Sequence, residues 1–462
     1  MGLLISSTLR FLRLRSKPTV FLLGFVLLGL TGSAEASGWQ IEVVDSSPGY
    51  GWPVLRLNRQ GFPCLSYEGR TSGLRHTRWN GSIWVKETLD SANLIRTTCL
   101  VLDSNNLPYI AYHDRTHGSL KYAFWDGVQW QIEVVDSGGT GYFPSLALDH
   151  RGFPHITYSD TVRILSKLAF KYAYWNGTSW VKGIVVDSFS LGFPSALTLD
   201  SLNGSHVAYR NHQLRYLKYA YWDGALWQKE IVDTSGGDAG MYPSMRFDSR
   251  GQSLISSVAG SVAMGLMLSR HVDSVWNTEM VAWHSRHIGP NWLYISPKDS
   301  VSIAYCVDEE GVFAAIQAES GWMMDTVVFA GIYGGVSLAV DSASGYHVTY
   351  LDGSWIYHAW KDFSGVKEKE GVVSFQPQAF GILPSHFRKE VMIIFPKGGK
   401  NKRNSVRVYD VTGRLVKELK VNNRSAVWDG RDEKGRLMSA GVYCVVLEGE
   451  VQRISQPVVL IR

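Results

Sequence analysis

The stretch Tyr112-His113-Asp114-Arg115-Thr116-His117 sets two imidazoles, a carboxylate and a guanidinium within five residues. Two further groups resemble it in chemistry: Tyr158 with Asp160, and Arg210-Asn211-His212. Tyr50, Tyr142 and Tyr242 stand in short Gly- and Pro-rich stretches nearby in the same pattern. Rings cover the apolar faces of sugars, while forked donors and amides read hydroxyls or carboxylates, so the set suits a sugar or peptide ligand. The competing reading is that loop tips are polar because they face water. His113, Asp114 and His117 invite comparison with a metal cluster, but their spacing fixes no further ligand, so neither a metal nor another cofactor is expected. A glycoside hydrolase would need two carboxylates facing each other across roughly 5–10 Å. Glu68, Asp114 and Asp160 are the candidates by exclusion. No nucleophile and base stand at recognisable spacing, so no catalytic residue is assigned and binding without catalysis is the expectation.

These residues need a scaffold, and the chain repeats one. "LKYAFWDGVQWQIEVVD" and "LKYAYWDGALWQKEIVD" are nearly the same phrase, each reading as two alternating strands around Asp-Gly, a strong hairpin signal. Aligned on this motif, Trp79, Trp125, Trp175 and Trp222 recur at nearly even intervals, each followed five residues later by Trp84, Trp130, Trp180 and Trp227. A second strand pair precedes each hairpin, clearest in "FPSLALDHRGFPHITYSD". Two eroded copies follow, with Trp276 and Trp322 keeping the second tryptophan position, which makes seven units of four short strands. That is the signature of a seven-bladed β-propeller, with a straight solenoid as the competing fold. The lone strand from Trp39 lacks three partners, and the last unit, ending at Trp360, lacks a fourth strand; pairing the two would close the ring and remove an exposed edge. Within each unit the first-to-second and third-to-fourth turns are tight and alike. The other two connections vary, emerge on one face, and carry the residues listed above, which makes that face the expected ligand site. Asp45, Asp136, Asp187 and Asp233 recur before Ser or Thr, and are expected to cap the following loop; the tryptophan pairs are expected to pack between blades.

The 462 residues, 45% of them hydrophobic, are enough for more than one core. Residues 1–36 combine Arg10, Arg13, Arg15 and Lys17 with the apolar run "TVFLLGFVLLGL" and Ala34-Glu35-Ala36, a cleavable secretory signal in pattern. The mature protein is therefore expected outside the cytoplasm, secreted or at the cell surface, with no transmembrane segment. The net charge of +5 is unevenly spread: the leader and the last 92 residues are basic and the repeats are acidic, so nucleic acid is not an expected partner. Cys64, Cys99, Cys306 and Cys444 fit no metal spacing; buried free thiols are expected, with a Cys64–Cys99 bridge as the alternative. The sequons at Asn80, Asn176 and Asn203 coincide with turns.

The repeat stops near 365, residues 366–380 read as a linker, and 381–462 show short strands between Gly turns, the pattern of a small sandwich. Here Val408-Tyr409-Asp410, Gly413-Arg414, Trp428-Asp429-Gly430-Arg431, Gly435 and Gly441-Val442-Tyr443 form an ordered series. It resembles the C-terminal sorting domain of type IX secretion cargo, which is similar to the Ig-like domain of the flagellar hook-capping protein. The resemblance implies an Ig-like domain, a secretion-machinery partner, and export across an outer membrane to the cell surface. The repeats are more loosely similar to bacterial surface propellers of sialidase-like topology. The sequence thus divides into a signal peptide (1–36), a seven-bladed propeller (37–365), a linker (366–380) and a sorting domain (381–462). The function it supports is surface display of a non-catalytic binding protein for a glycan or protein. A glycoside hydrolase or lyase, and a structural surface-layer component, are the alternatives.

Overall fold

The computed structural model describes residues 38–362 except positions 47, 50, 320 and 354 and the stretches 70–72, 92–94, 163–166, 189–193, 236–237, 261–263 and 330–333. Beyond 380 it describes 381–383, 386–387, 391–394, 405–410, 414–420, 425–439, 441–448 and 453–460. The leader, Tyr50, the linker and Gly413 lie outside the described residues.

Seven four-stranded antiparallel sheets follow one another along the chain, at 54–90, 95–137, 140–188, 196–233, 241–284, 288–328 and 336–362, the last completed by Gln40–Asp45. That strand runs antiparallel to Trp355–Asp362, with Gln40 opposite Trp360, so the two defective ends of the repeat do pair. The inner strand of each sheet touches the inner strand of the next, and Val54–Leu57 of the first touches Val336–Val340 of the seventh. The sheets therefore form a closed ring, the arrangement of a β-propeller.

Small polar side chains stitch this ring at its axis. The Leu55 N–H donates to Ser337 Oγ at 3.1 Å, Leu146 N–H to Cys99 Sγ at 3.4 Å, Leu197 N–H to Ser145 Oγ at 3.0 Å and Leu293 N–H to Ser244 Oγ at 3.0 Å. An inner-strand amide on its open side has no ladder partner, and a short hydroxyl or thiol from the previous sheet satisfies it. Cys64, Cys99 and Cys306 are all free and buried, which rules out the Cys64–Cys99 bridge.

The recurring aspartates do more than cap the following loop. Asp45, Asp136 and Asp187, on outer strands, accept the hydroxyls of Tyr67, Tyr158 and Tyr209 in the following sheet at 2.8, 2.9 and 2.9 Å. Lysines of that same sheet complete each group, as Lys218 Nζ does on Asp187 at 2.8 Å. Capping, as the sequence suggests, is also present: Asp136 accepts the Ser137 N–H at 3.1 Å and Asp233 the Ser235 N–H at 2.8 Å; the fifth sheet offers Ser256 and Ser257 in the strand where the earlier sheets carry the tyrosine. The second tryptophans also reach across: Trp130, Trp180 and Trp276 donate from Nε1 to Glu87, Glu133 and Glu230 of the preceding sheets. The first tryptophans instead meet the second ones edge-on within their own hairpins, at 5.6 Å for Trp79–Trp84 and 5.7 Å for Trp222–Trp227. Gly224, at φ +100°, takes the turn conformation that Asp-Gly announces.

Past the repeats, a three-stranded sheet (Gly381–Leu383, Val391–Ile394, Ser425–Trp428) and a five-stranded sheet share a core of Val406, Val408, Val416, Trp428, Tyr443 and Val445 among others. The resemblance residues are the joints of this small sandwich. Trp428 is fully buried, meets Tyr443 at 4.9 Å and donates to Arg431 O at 2.9 Å. Asp410 pairs with Arg414 at 2.9 Å, and Asp429 with Lys417 at 3.1 Å. Gly430 and Gly435 have φ of +71° and +75°, Tyr409 and Asp410 are the last residues of the strand Ser405–Asp410, and Gly441 opens Gly441–Glu448.

Candidate functional site

The residues singled out by chemistry gather at one end of the sheets, where Thr140 pairs with Asp160 and Ile95 with Asp114. Most of them are occupied there by the fold. Asp114 is fully buried and holds His117 Nδ1 and Lys121 Nζ, each at 2.9 Å. Burial pushes its pKa up, but the hydrogen bonds from Lys121 and His117 outweigh this and hold the carboxyl below the usual range. Tyr158 is fully buried against Asp136, and Asp160 pairs with Lys171 at 2.5 Å. Arg210, buried, pairs with Asp238 and lies 3.1 Å from His212 Nδ1, while Asn211 Oδ1 caps the Leu214 N–H at 2.9 Å. His113 lies against Tyr142, the rings tilted by 38° with centres 4.0 Å apart. Arg115, His117 and His212 remain exposed, and Tyr142 and Tyr242 are half-buried. The structure thus distributes this set over separate sheets, and Tyr242 borders the channel on the ring axis.

A concave aromatic surface opens at the other end, between the tight turns of the first two sheets. It encloses about 450 Å³ and is walled by Phe62, Trp79, Trp125 and Trp130, with Cys64 and His76 lining it between them. Its origin is visible in the strand register. In the third strands, His76 pairs across to Glu87, as Tyr122 does to Glu133 and Tyr219 to Glu230. The second, third and fourth sheets fill this place and the one two residues on with ring pairs, Tyr122–Phe124, Tyr172–Tyr174 and Tyr219–Tyr221, at 5.5, 5.7 and 5.9 Å. The first sheet carries His76 and Arg78 instead. One ring is exchanged for the smaller imidazole and one for a guanidinium, and a hollow lined by the neighbouring indoles is left.

The polar groups of this hollow are poised for hydroxyls. His76 is buried, with Nδ1 3.4 Å from Glu87 Oε2. A carboxylate there draws the ring proton to Nδ1 and leaves Nε2 an acceptor, and Nε2 has no partner among the described residues. The His76 hydrogen bond, with that of Trp130 and the charge of Arg78, holds Glu87 below the usual carboxylate range despite partial burial. Arg78 is exposed at the rim and makes no hydrogen bond or ion pair among the described residues. Sequence reasoning passed over this site because it looked for polar clusters in variable loops. The signal was a break in the repeat: His76 and Arg78 where its sister phrases carry aromatic residues.

Among the described residues, no group of His, Cys, Asp and Glu is placed to hold a metal ion, and no helix is long and apolar enough to cross a membrane.

Fold and hollow together define a β-propeller with an aromatic pocket between adjacent sheets. The chain matches no protein-family model and no curated protein. Among solved structures it is similar to a mutant of AofleA from Arthrobotrys oligospora, at 11% identity and a TM-score of 0.46 over 63% of this chain and 90% of that one. It is also similar to the fucose-specific lectin from Aleuria aurantia, at 12% identity and a TM-score of 0.45 over 62% and 98% of the two chains. A protein of unknown function from Dyadobacter fermentans gives 13% identity and a TM-score of 0.42 over 70% and 98%.

Proposed function

We propose that this protein is a non-catalytic carbohydrate-binding protein whose site is the hollow between the first two sheets. One observation carries the reading: a sugar-sized hollow of about 450 Å³ is walled by indoles where the first sheet has His76 and Arg78 in place of the tilted ring pairs of the second to fourth sheets. Indole faces cover the apolar side of a pyranose, and the unpartnered His76 Nε2, ionised Glu87 and the Arg78 fork accept from and donate to its hydroxyls. Glu87 is the one carboxylate in the lining, whereas glycoside hydrolysis calls on a facing pair, so the site suits binding over cleavage. The test is a glycan array on the purified protein beside Trp79→Ala and Arg78→Ala. Both residues are half-buried or exposed, so each variant should stay folded, within about 1 kcal/mol of the parent, while losing at least tenfold in affinity for the glycans retained. Unchanged binding by both variants would remove the site.

We read the seven sheets as seven blades of one ring closed by the Gln40–Asp45 strand, and the two-sheet C-terminal unit as an Ig-like domain that addresses the propeller for export to the cell surface. The support is the sorting-domain resemblance, whose residues build the joints of that unit. Removing 371–462 should leave the propeller folded, since each part has its own core, and should hold it inside the cell envelope. Surface arrival of the truncated protein would overturn the address.

A further inference from the structure

The ring axis holds a second cavity of about 290 Å³, bordered by the inner strands of all seven sheets and at the lower end of the roughly 300–1,000 Å³ usual for small-molecule sites. Its charged lining is Arg56 and Arg246, with no aspartate or glutamate. The repeat does not ask for arginine here: the same inner-strand position is Val101, Ala147, Thr198, Tyr294 and Ala339 in the other five sheets.

The two guanidiniums converge on one ring. Arg56 Cζ lies 4.8 Å and Arg246 Cζ 5.7 Å from the centre of Trp292. Each donates once to the carbonyl before it, Arg56 to Leu55 O at 2.8 Å and Arg246 to Met245 O at 2.7 Å, and neither has an ion-pair partner among the described residues. A guanidinium carries five N–H donors, so most of each fork is uncommitted. Burial, together with the field of Arg56, lowers the Arg246 pKa to about 10, which leaves it charged at neutral pH. Two like charges deep in a protein without a counter-charge are costly, and the indole between them offsets only part of that.

One mouth of the channel is lidded by rings. Trp52 meets Phe143 at 6.1 Å and Tyr242 at 5.7 Å. Phe143 and Tyr242 sit at bulges that open their inner strands, with φ of +49° and +50°, a conformation bulky residues avoid unless the site needs the ring aimed there.

We propose that the axial channel binds a small organic carboxylate, its carboxylate gripped by the forks of Arg56 and Arg246 and its apolar body laid against Trp292 beneath the aromatic lid. Fork-to-carboxylate pairing supplies the missing counter-charge in the geometry guanidinium favours. The assignment is independent of the glycan pocket, which opens between two sheets away from the axis.

The test titrates the full chain with sodium benzoate and with benzamide, its neutral isostere, by calorimetry and tryptophan fluorescence. Benzoate is expected to bind once per chain and perturb the fluorescence, with benzamide at least tenfold weaker. Arg56→Gln and Arg246→Gln should each weaken benzoate at least tenfold, and Trp79→Ala should leave it unchanged. Arg56→Lys, which keeps the charge and loses the fork, should also weaken it and covers the case in which a glutamine variant fails to fold. Equal binding of benzoate and benzamide, benzoate binding retained in the double glutamine variant, or inorganic sulfate binding as tightly as benzoate would each overturn the proposal.

Discussion

Single residues decide how this ring is hollowed. Where Tyr122 and Phe124 pack together, the second sheet is filled; where His76 and Arg78 replace such a pair, the first sheet is open. A glycine sets the axial lid in the same way. A Cβ on Gly335 would come within 2.3 Å of the Trp52 ring, so the indole can lie across the channel mouth only because the seventh sheet presents bare backbone there. Gly335→Ala should therefore cost about 1–3 kcal/mol, as an added methyl in a filled site does, or displace Trp52 from Phe143 and Tyr242. Chemical denaturation with the indole emission as readout separates these from the alternative, an unchanged midpoint and spectrum, which would mean that Trp52 does not rest on Gly335 in solution.

At the scale of elements, neighbouring sheets are held by buried tyrosine–aspartate–lysine groups. Asp90 accepts the Tyr112 hydroxyl at 2.8 Å and Lys121 at 2.9 Å, joining the outer strand of the first sheet to the second. Burial pushes the Tyr112 hydroxyl pKa up, and the Asp90 charge pushes it further, so it stays a donor at any ordinary pH. Asp187 shows the counterpart: burial would raise its pKa, but hydrogen bonds from Lys218 and Tyr209 bring it below the usual value. Tyr112→Phe and Tyr209→Phe should each cost about 1–2 kcal/mol, the loss of one hydrogen bond to a charged acceptor. Ser235→Ala keeps the backbone cap on Asp233 and loses only the local bond from the exposed Ser235 Oγ at 2.9 Å, so it should cost no more than about 0.5 kcal/mol. Equal costs in urea unfolding for all three variants would show that the groups between sheets carry no special weight. The pattern also explains why aspartate recurs in the sequence without a recurring catalytic site.

For the whole molecule, acid is the condition that should open the ring. His155 is buried and His347 half-buried, and desolvation lowers each pKa from 6.5 to about 4, the charge of His358 adding to this at His347. The unfolded chain therefore binds protons from about pH 6.5 downward that the folded chain refuses until about pH 4. The stability these neutral rings represent is complete above pH 6.5 and is lost progressively as pH falls toward 4, by about 2 kcal/mol per histidine at pH 5. Depressed carboxylates such as Asp45 and Asp187 extend the loss below pH 3.8. Melting temperature measured from pH 7 to pH 4 should fall across this window, and the double variant His155→Gln, His347→Gln should flatten the fall. A wild-type profile level down to pH 4 would show that both imidazoles reach water in the folded state.

The strands, their repetition and the pairing of the two ends were legible in the sequence because each is a local or periodic property. Trp-Asp-Gly hairpins, alternating flanks and a missing fourth strand can be read without knowing which sheet touches which. The short strands of the C-terminal unit were legible for the same reason, Tyr409 and Trp428 falling on strands Ser405–Asp410 and Ser425–Trp428. The roles of individual polar residues were not. His113, Asp114, Tyr158, Asp160 and Arg210 look like a ligand set on the page, yet burial and the partners supplied by distant strands commit most of them to holding the fold. The two cavities were hidden for the converse reason. Each is made where residues depart from counterparts elsewhere in the ring: His76 and Arg78 from the ring pairs of the second to fourth sheets, and Arg56 with Arg246 from the uncharged residues at the same place in the other five. Their meaning depends on what faces them across a gap, and a linear pattern records spacing along a strand, whereas the neighbour across the gap is set only when the ring closes.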